Sequence, residues 1–173
     1  MGNSLMKYIE WVELESFFSG YLLVYAIIYL VASNRFVSNF VKIKVLPNLP
    51  LAYALVGTLY CGLQFKNGYS DYLMAGIQFP YLKTWGLLSI LFWIPFLHKK
   101  AIVSLLHSLV FFFLLMKSFY LQLSIPSGGS ELAGNNIKIY TASIILNLIA
   151  VVFVTIISLL IARFKRQKQS TRI

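Results

Sequence analysis

Residues 85–123 read WGLLSILFWIPFL, then HKK, then AIVSLLHSLVFFFLLMKSFYLQL. Two apolar segments of this length, separated by a short basic turn, are typical of a helical hairpin in a lipid bilayer. The lysines of the turn, residues 98–100, are expected at one membrane face. Pro95 lies close to this turn, where a helix end tolerates a proline. We expect Trp85 and Trp93 to lie near opposite membrane interfaces.

The composition indicates that lipid is the solvent for most of the chain. Of its 173 residues, 59% are hydrophobic and only 12% are charged, whereas soluble domains carry about 25% charged residues. The apolar residues are concentrated in long runs, as bilayer-spanning helices require. The net charge of +10 is explained by the positive-inside bias of membrane proteins, and we do not expect nucleic acid as a partner. The sequence therefore predicts an all-α integral membrane protein.

The apolar runs divide the chain into a membrane domain with two flanking segments. Residues 1–16 carry three glutamates, unlike a signal peptide, and are expected to lie at the membrane interface. Residues 163–173 form a basic tail. Between the spans we predict a short interfacial helix at residues 72–79 and a flexible loop at residues 124–138. The five predicted transmembrane helices cover residues 17–33, 50–65, 81–97, 101–123 and 139–162.

The charges predict the orientation of a five-span bundle. One side would carry ten basic residues and no acid, while the other would carry five basic residues and all five acids. The basic side is therefore expected to be cytoplasmic, with the N-terminus outside and the C-terminus inside, in a bacterial inner (plasma) membrane. Its basic tail is also expected to attract anionic lipid head groups. The ten basic residues are Arg35, Lys42, Lys44, Lys99, Lys100, Arg163, Lys165, Arg166, Lys168 and Arg172.

Small side chains line one side of the second predicted span. Such a face lets helix backbones approach closely in lipid, and we expect this helix to be central in the bundle. Cys61 is the single cysteine of the chain and is expected to pack as a small residue. The packing residues are Ala54, Gly57, Thr58, Cys61 and Gly62.

Two ionisable residues lie within the second arm of the hairpin, where they are candidates for function. His107 borders a stripe that contains Ser104, Ser108 and Ser118 and should face other helices. It is either a neutral hydrogen-bonding group between helices or a group for proton relay or substrate binding. Lys117 lies on the opposite side of the helix. It is expected to extend to the lipid head groups, or alternatively to pair with an acid of another subunit.

The remaining polar residues of the spans favour helix packing over chemistry. Asn147, with Ser143 and Ser158 on the same side, is expected to bond neighbouring helices, and Gln64 is a further polar candidate. No predicted span contains Asp or Glu, and the sequence has no GxxxxGK[ST], GxGxxG, HExxH or GxSxG motif. We therefore predict no catalytic residue, no cofactor and no metal site.

Three functions fit this sequence. The first is a non-enzymatic subunit or scaffold of a membrane complex, which associates with other membrane proteins or with copies of itself. The second is a small homo-oligomeric carrier or channel. The third is a membrane-embedded enzyme acting on lipid or quinone, with His107 as the base. The carrier would line its path with Tyr21, Tyr25, Tyr29, His107, Asn147 and Gln64.

Overall fold

The computed structural model describes residues 14–33, 39–70, 80–123 and 129–170, with side chains at 14–33, 39–66, 81–120 and 137–169. Nearly all of these residues are helical, and none of them is in a strand. The predicted interfacial segment, up to residue 13, and the predicted helix at residues 72–79 lie outside the described residues.

Four helices are long and apolar enough to cross a membrane. They cover Leu14–Ser33, Val41–Lys66, Ala101–Tyr120 and Ile137–Gln169. The prediction of an all-helical architecture is therefore confirmed for the described residues, and four of the helices have the length and apolar composition of membrane spans.

The helices follow one another with short irregular pieces between them. A helical turn at residues 14–18 and a turn at residues 19 and 20 precede the first long helix. A π-helical turn, Val41–Val45, and a 3-10 turn, Leu46–Asn48, lead into the second. Another 3-10 turn, Ser89–Trp93, separates the third and fourth. The α-helices are α1 (Tyr21–Ser33), α2 (Leu49–Ser70), α3 (Pro80–Leu88), α4 (Pro95–His98), α5 (Ala101–Leu123) and α6 (Gly129–Ser170).

The second spanning helix, which contains α2, lies at the centre of the bundle, in agreement with the expectation from its small residues. Half of its spanning window is buried, compared with 28% for each of the other three spanning helices. Tyr53 and Tyr60 are fully buried on one face of α2, and Ala54 is buried beside them. Because α2 contacts α3, α5 and α6, it organises the packing of the others.

The first arm of the hairpin differs from the single helix predicted at residues 81–97. It consists of α3, the 3-10 turn and α4, joined through Ile94 in an extended conformation (φ −70°, ψ 129°). Pro95 explains this local geometry, since a proline disfavours the α conformation of the residue before it and has no N–H group for helix hydrogen bonding. Ile94 N–H donates instead to the Leu91 carbonyl at 2.9 Å. A five-residue 3-10 run is longer than usual, so the interruption extends well upstream of the proline.

This interrupted arm runs antiparallel to α2. Atoms of Tyr60 lie beside Gly86, and the rings of Tyr53 and Phe92 meet edge to face at 5.6 Å. At the tip of the hairpin, His98 and Lys99 line a cavity with Pro47, Asn48, Pro50, Leu51 and Ala101. The hairpin tip therefore lies at the N-terminal end of α2.

The last helix is much longer than the predicted span. α6 has 42 residues and is about 63 Å long at 1.5 Å per residue. It includes residues 129–138, which we expected in a flexible loop, and most of the basic tail. Once an apolar span has formed a helix, each added residue gains a backbone hydrogen bond. This gain offsets the roughly 1 kcal/mol by which each glycine disfavours a helix.

Candidate functional site

His107 is a buried polar side chain of the hairpin whose two ring nitrogens both have partners. It is 9% exposed. Its Nδ1 lies 2.8 Å from the Tyr53 hydroxyl, and its Nε2 lies 2.8 Å from the Trp85 carbonyl oxygen. Since a carbonyl can only accept, Nε2 carries a proton, and in the neutral ring Nδ1 accepts the proton of the Tyr53 hydroxyl. Both ring nitrogens are therefore occupied by groups of the protein.

Trp85 joins α3 to α5 through the same histidine. Its indole ring stacks on the imidazole ring with centroids 4.8 Å apart and an interplanar angle of 6°. Its Nε1 donates to the backbone carbonyl of His107 at 3.2 Å. Two hydrogen bonds and one ring stack thus connect these two residues.

The bond to the Trp85 carbonyl has a clear structural use. Carbonyl groups at the C-terminal end of an α-helix lose their regular helical partners, and α3 ends at Leu88. His107 donates to the carbonyl of Trp85, and Ser89 Oγ donates to the carbonyl of Gly86. Where no water is present, such carbonyls need a protein donor. The two side chains therefore stabilise the end of α3 at the interruption.

The helical path is also interrupted at residues 19 and 20, before α1. Gly20 N–H donates to Ser143 Oγ of α6 at 2.8 Å. Asn147 Nδ2 donates to the Phe17 carbonyl at 2.9 Å and to the carbonyl of Ser143 at 2.8 Å. A Cβ atom on Gly20 would lie only 2.5 Å from the backbone nitrogen of Ile144. The chain therefore contacts the backbone of α6 directly at this turn.

An aromatic cluster lies between the two interruptions. Phe18 stacks on Phe111 of α5 with centroids 4.7 Å apart and meets Tyr60 of α2 edge to face at 5.2 Å. Its ring would also lie 3.1 Å from a Cβ atom on Gly86 of α3. Close contact with α3 is possible because residue 86 has no side chain.

A hydroxyl pair joins α1 to the start of α5. The Tyr21 hydroxyl lies 2.9 Å from Ser104 Oγ, and the rings of Tyr21 and Tyr53 are 4.3 Å apart. Ser104 Oγ also bonds the carbonyl of Ala101 at 2.8 Å. The hydroxyls of Tyr21 and Tyr53 therefore bond to polar groups of α5 at neighbouring positions.

The small residues of α2 do not form one continuous packing face. Ala54 and Gly57 are buried, and a Cβ atom on Gly57 would overlap the side chain of Ser89. Thr58 is exposed, but its hydroxyl accepts a bond from Trp93 Nε1 at 2.9 Å. Cys61 is half-buried, and Gly62 has no neighbouring atom within 4 Å of a Cβ position. The N-terminal part of the stripe is therefore closely packed, whereas Gly62 adjoins open space.

The other predicted residues are distributed over several environments. Ser104 and Ser108 are fully buried and Ser118 is half-buried. Asn147 and Ser143 are buried together, whereas Ser158 is exposed. Lys117 is exposed and Gln64 is half-buried, and neither contributes to the bonds described at the interruptions.

The tyrosines of the predicted ridge and the two tryptophans of the hairpin lie in different environments. Tyr21 is buried, Tyr25 is half-buried and Tyr29 is 56% exposed, so the ridge runs from the core to the surface. The indole N–H groups of Trp85 and Trp93 donate to protein atoms of α5 and α2. Each of these indole N–H groups thus has a hydrogen-bond acceptor within the protein and does not need one at the membrane interface.

Sequence reasoning missed Gly20 and Tyr53, which are central to these contacts. Tyr53 is one of 11 tyrosines and has no distinguishing spacing. Gly20 stands directly before the tyrosine ridge, and a glycine at that place was the available signal for close backbone packing.

The site is suited to joining helices. For His107 to act as a base through Nδ1, the Tyr53 hydroxyl would have to leave it. Among the described residues, no three His, Cys, Asp or Glu side chains are grouped as a metal ion would require. No protein-family model, curated protein or solved structure matches this chain.

Proposed function

We propose that this chain is a five-span inner-membrane protein that serves as a non-enzymatic subunit or scaffold of a membrane complex. The length of α6 carries this proposal. At about 63 Å, the helix exceeds the 40–45 Å thickness of a bilayer with its head groups. Residues 163–169 at its end are exposed, and they offer a rigid basic extension to a neighbouring protein.

The polar bonds at the two interruptions support a structural role. His107 and Asn147 are polar residues of the long helices, and each donates to a backbone carbonyl of another segment. This use of polar groups stabilises one arrangement of the bundle.

The path of the interrupted hairpin arm supports a fifth crossing. α3, the 3-10 turn and α4 together provide about 30 Å of helical rise, which equals the thickness of a bilayer core. This arm follows α2 from the level of Tyr60 to that of Asn48. The predicted orientation places the N-terminus outside and the basic C-terminus in the cytoplasm.

Cysteine labelling tests this topology. In a Cys61→Ser background, we expect Lys66→Cys to react with a membrane-impermeant maleimide in intact cells. Lys99→Cys should react only after the membrane is opened. The Cys61→Ser chain without a new cysteine serves as the control. Labelling of both positions from the same side would contradict the crossing.

Purification in a gentle detergent tests the proposed role. We expect other membrane proteins to accompany the full chain in fixed stoichiometry. Removal of residues 163–173 should release them. A tail with the same residues in scrambled order preserves the charge and the orientation, and it should release them too if the helical surface is recognised. A chain that purifies alone and keeps its cellular phenotype would contradict the proposal.

A carrier or channel is the second candidate, and the helix interruptions favour it. Transporters build substrate sites from discontinuous helices at mid-membrane depth, and this chain has interruptions at residues 19–20 and 89–94. Ion or proton flux in vesicles that contain only this chain, abolished by Asn147→Leu, would favour this function over the scaffold.

A further inference from the structure

A basic cleft lies between the π-helical turn and the end of α6. Its lining consists of Lys44, Leu159, Ala162, Arg163 and Arg166, around a cavity of about 140 Å³. Lys44 is half-buried, and the two arginines are exposed. Three cations thus surround one small cavity with an apolar wall.

The described residues provide no acid to neutralise this cleft. Glu131 and Glu15 are the acidic residues among them. Glu131 precedes Arg163 by 32 residues, or about 48 Å of helix. Glu15 lies at the other end of the bundle. Its neighbour Phe17 is bonded to Asn147, which is 16 residues, or about 24 Å of helix, before Arg163. The three cations therefore repel one another with no carboxylate of the described chain between them, and an anion would relieve this repulsion.

We propose that this cleft binds the phosphate group of an anionic phospholipid. Arg163 and Arg166 are three residues apart and so lie on the same side of α6, where their planar groups can each donate two hydrogen bonds to phosphate oxygens. Lys44 adds a charge from the opposite wall. Basic pockets between membrane helices on the cytoplasmic side are suited to lipid head groups.

The apolar wall favours a lipid over a free phosphate ion. Leu159 and Ala162 line the same cavity and precede Arg163 on α6, so they lie on the membrane side of the two arginines. There they can contact the glycerol and the first carbons of the acyl chains. The inference rests on the proposed membrane placement of this end of the bundle.

The cleft differs from a general attraction of the basic tail to lipid. Lys165 and Lys168 belong to the same tail but do not line the cavity. At 100° per residue they point about 110° and 170° away from the centre of the four α6 residues that line the cleft. They therefore provide a matched control with the same charge.

Native mass spectrometry of the full chain in detergent, titrated with phosphatidylglycerol or phosphatidylcholine, tests the proposal. We expect preferential binding of phosphatidylglycerol to the unmodified chain. Lys44→Gln with Arg163→Gln and Arg166→Gln should weaken it about 100-fold. The control, Lys42→Gln with Lys165→Gln and Lys168→Gln, removes the same charge and should change it less than about 5-fold. Equal losses in both triple variants, or no loss in either, would overturn the proposal.

Two further measurements complete the test. Arg166→Gln alone preserves most of the charge and should weaken binding about 5-fold, which covers the case in which the triple variant does not fold. Millimolar inorganic phosphate should not displace the lipid. If it binds at the same residues and displaces the lipid, the site is one for free phosphate and the lipid proposal is wrong. Because binding is measured in detergent, its failure is independent of the topology and partner experiments.

Discussion

The two helix interruptions arise in different ways. At residues 89–94 a local cause is visible in the sequence, because Pro95 forces Ile94 into an extended conformation. At residues 19 and 20 there is no proline. The turn there coincides with the place where Gly20 approaches the backbone of α6. One interruption thus carries a local signal in its own sequence, whereas the other carries none and lies where the chain packs against a distant helix.

They also differ in the neighbouring helix that supplies hydrogen bonds. At residues 19 and 20, the first interruption in the chain, Ser143 and Asn147 of α6 supply an acceptor and a donor. At residues 89–94, the second, His107 of α5 supplies the donor. At each interruption a serine of the interrupted segment also donates to a nearby carbonyl, Ser19 to that of Glu15 and Ser89 to that of Gly86. The comparison shows that a polar residue within a span can serve the backbone of a neighbouring helix, since lipid cannot.

The largest loss of stability is expected at Gly20, where the chain contacts the backbone of α6. Gly20→Ala would place a Cβ atom 2.5 Å from the nitrogen of Ile144 and 2.6 Å from the carbonyl carbon of Ser143. The helices must move apart, and we expect a loss of about 3 kcal/mol in the free energy of unfolding, measured by thermal unfolding in detergent. Gly62→Ala is the control, because no atom lies within 4 Å of its Cβ position, and it should be neutral or stabilise the protein by up to about 1 kcal/mol through the better helix propensity of alanine. Equal losses of stability in the two variants would show that the close contact between Gly20 and α6 is not the reason that Gly20→Ala is destabilising.

The next largest loss of stability is expected when Asn147, the side-chain donor at residues 19 and 20, is replaced. Asn147→Leu removes the bond to the Phe17 carbonyl and should lower the free energy of unfolding by about 2 kcal/mol. Thr155→Val on the same helix is the matched control, since the buried Thr155 hydroxyl has no hydrogen-bond partner among the described residues. It should be neutral or slightly stabilising. If Thr155→Val is as damaging as Asn147→Leu, the loss reflects general packing of α6.

Local periodicity made part of this architecture predictable. The apolar runs predicted helices long enough to span a membrane, and the serine spacing on α5 placed Ser104 and Ser108 on a buried side. The same spacing placed His107 next to that side. Features that depend on one helix alone can thus be derived from the sequence.

The partners of these residues could not be predicted. A helical wheel shows the side on which His107 lies, but the hydroxyl opposite to it depends on how α2 is rotated and positioned, so Tyr53 was missed. Pro95 was expected at a harmless helix end, whereas the interruption continues upstream to Ser89. The glycines and asparagines before residue 137 were interpreted as a loop, because their preference is weaker than the continuation of a long helix.

A double-mutant cycle at Tyr53 and His107 measures how much their hydrogen bond contributes to stability near the interruption at residues 89–94. His107→Phe preserves an aromatic ring against Trp85 but removes both ring-nitrogen bonds, and we expect a loss of about 1.5 kcal/mol in the free energy of unfolding. Tyr53→Phe alone should cost less, because one bond is lost. Together they should be less damaging than their sum by about 0.6 kcal/mol. Additive losses would mean that the Tyr53–His107 bond contributes nothing to stability. His107→Phe with normal stability but a lost cellular phenotype would favour a chemical role for this histidine.

The smallest change in stability is expected for Pro95→Ala, which tests what causes the interruption at residues 89–94. Pro95→Ala restores an N–H group and removes the constraint on Ile94, yet the bond from His107 to the Trp85 carbonyl and the bond from Ser89 to the Gly86 carbonyl remain. We expect a change in stability below about 1 kcal/mol. Amide hydrogen exchange at residues 89–94, which reports local opening, should stay the same.

Combining Pro95→Ala with His107→Phe removes the proline and the external donor at once. The segment should then continue as a regular helix, and exchange at residues 89–94 should slow. Pro50→Ala is the matched control, because Pro50 lies in the first turn of α2, where a proline leaves the helix intact. If Pro95→Ala alone slows the exchange, the proline is the sole cause of the interruption. The side-chain bonds would then follow from the break and would not maintain it. If exchange slows only in the combined variant, both interruptions depend on side chains from a neighbouring helix, and the proline is a secondary difference between them.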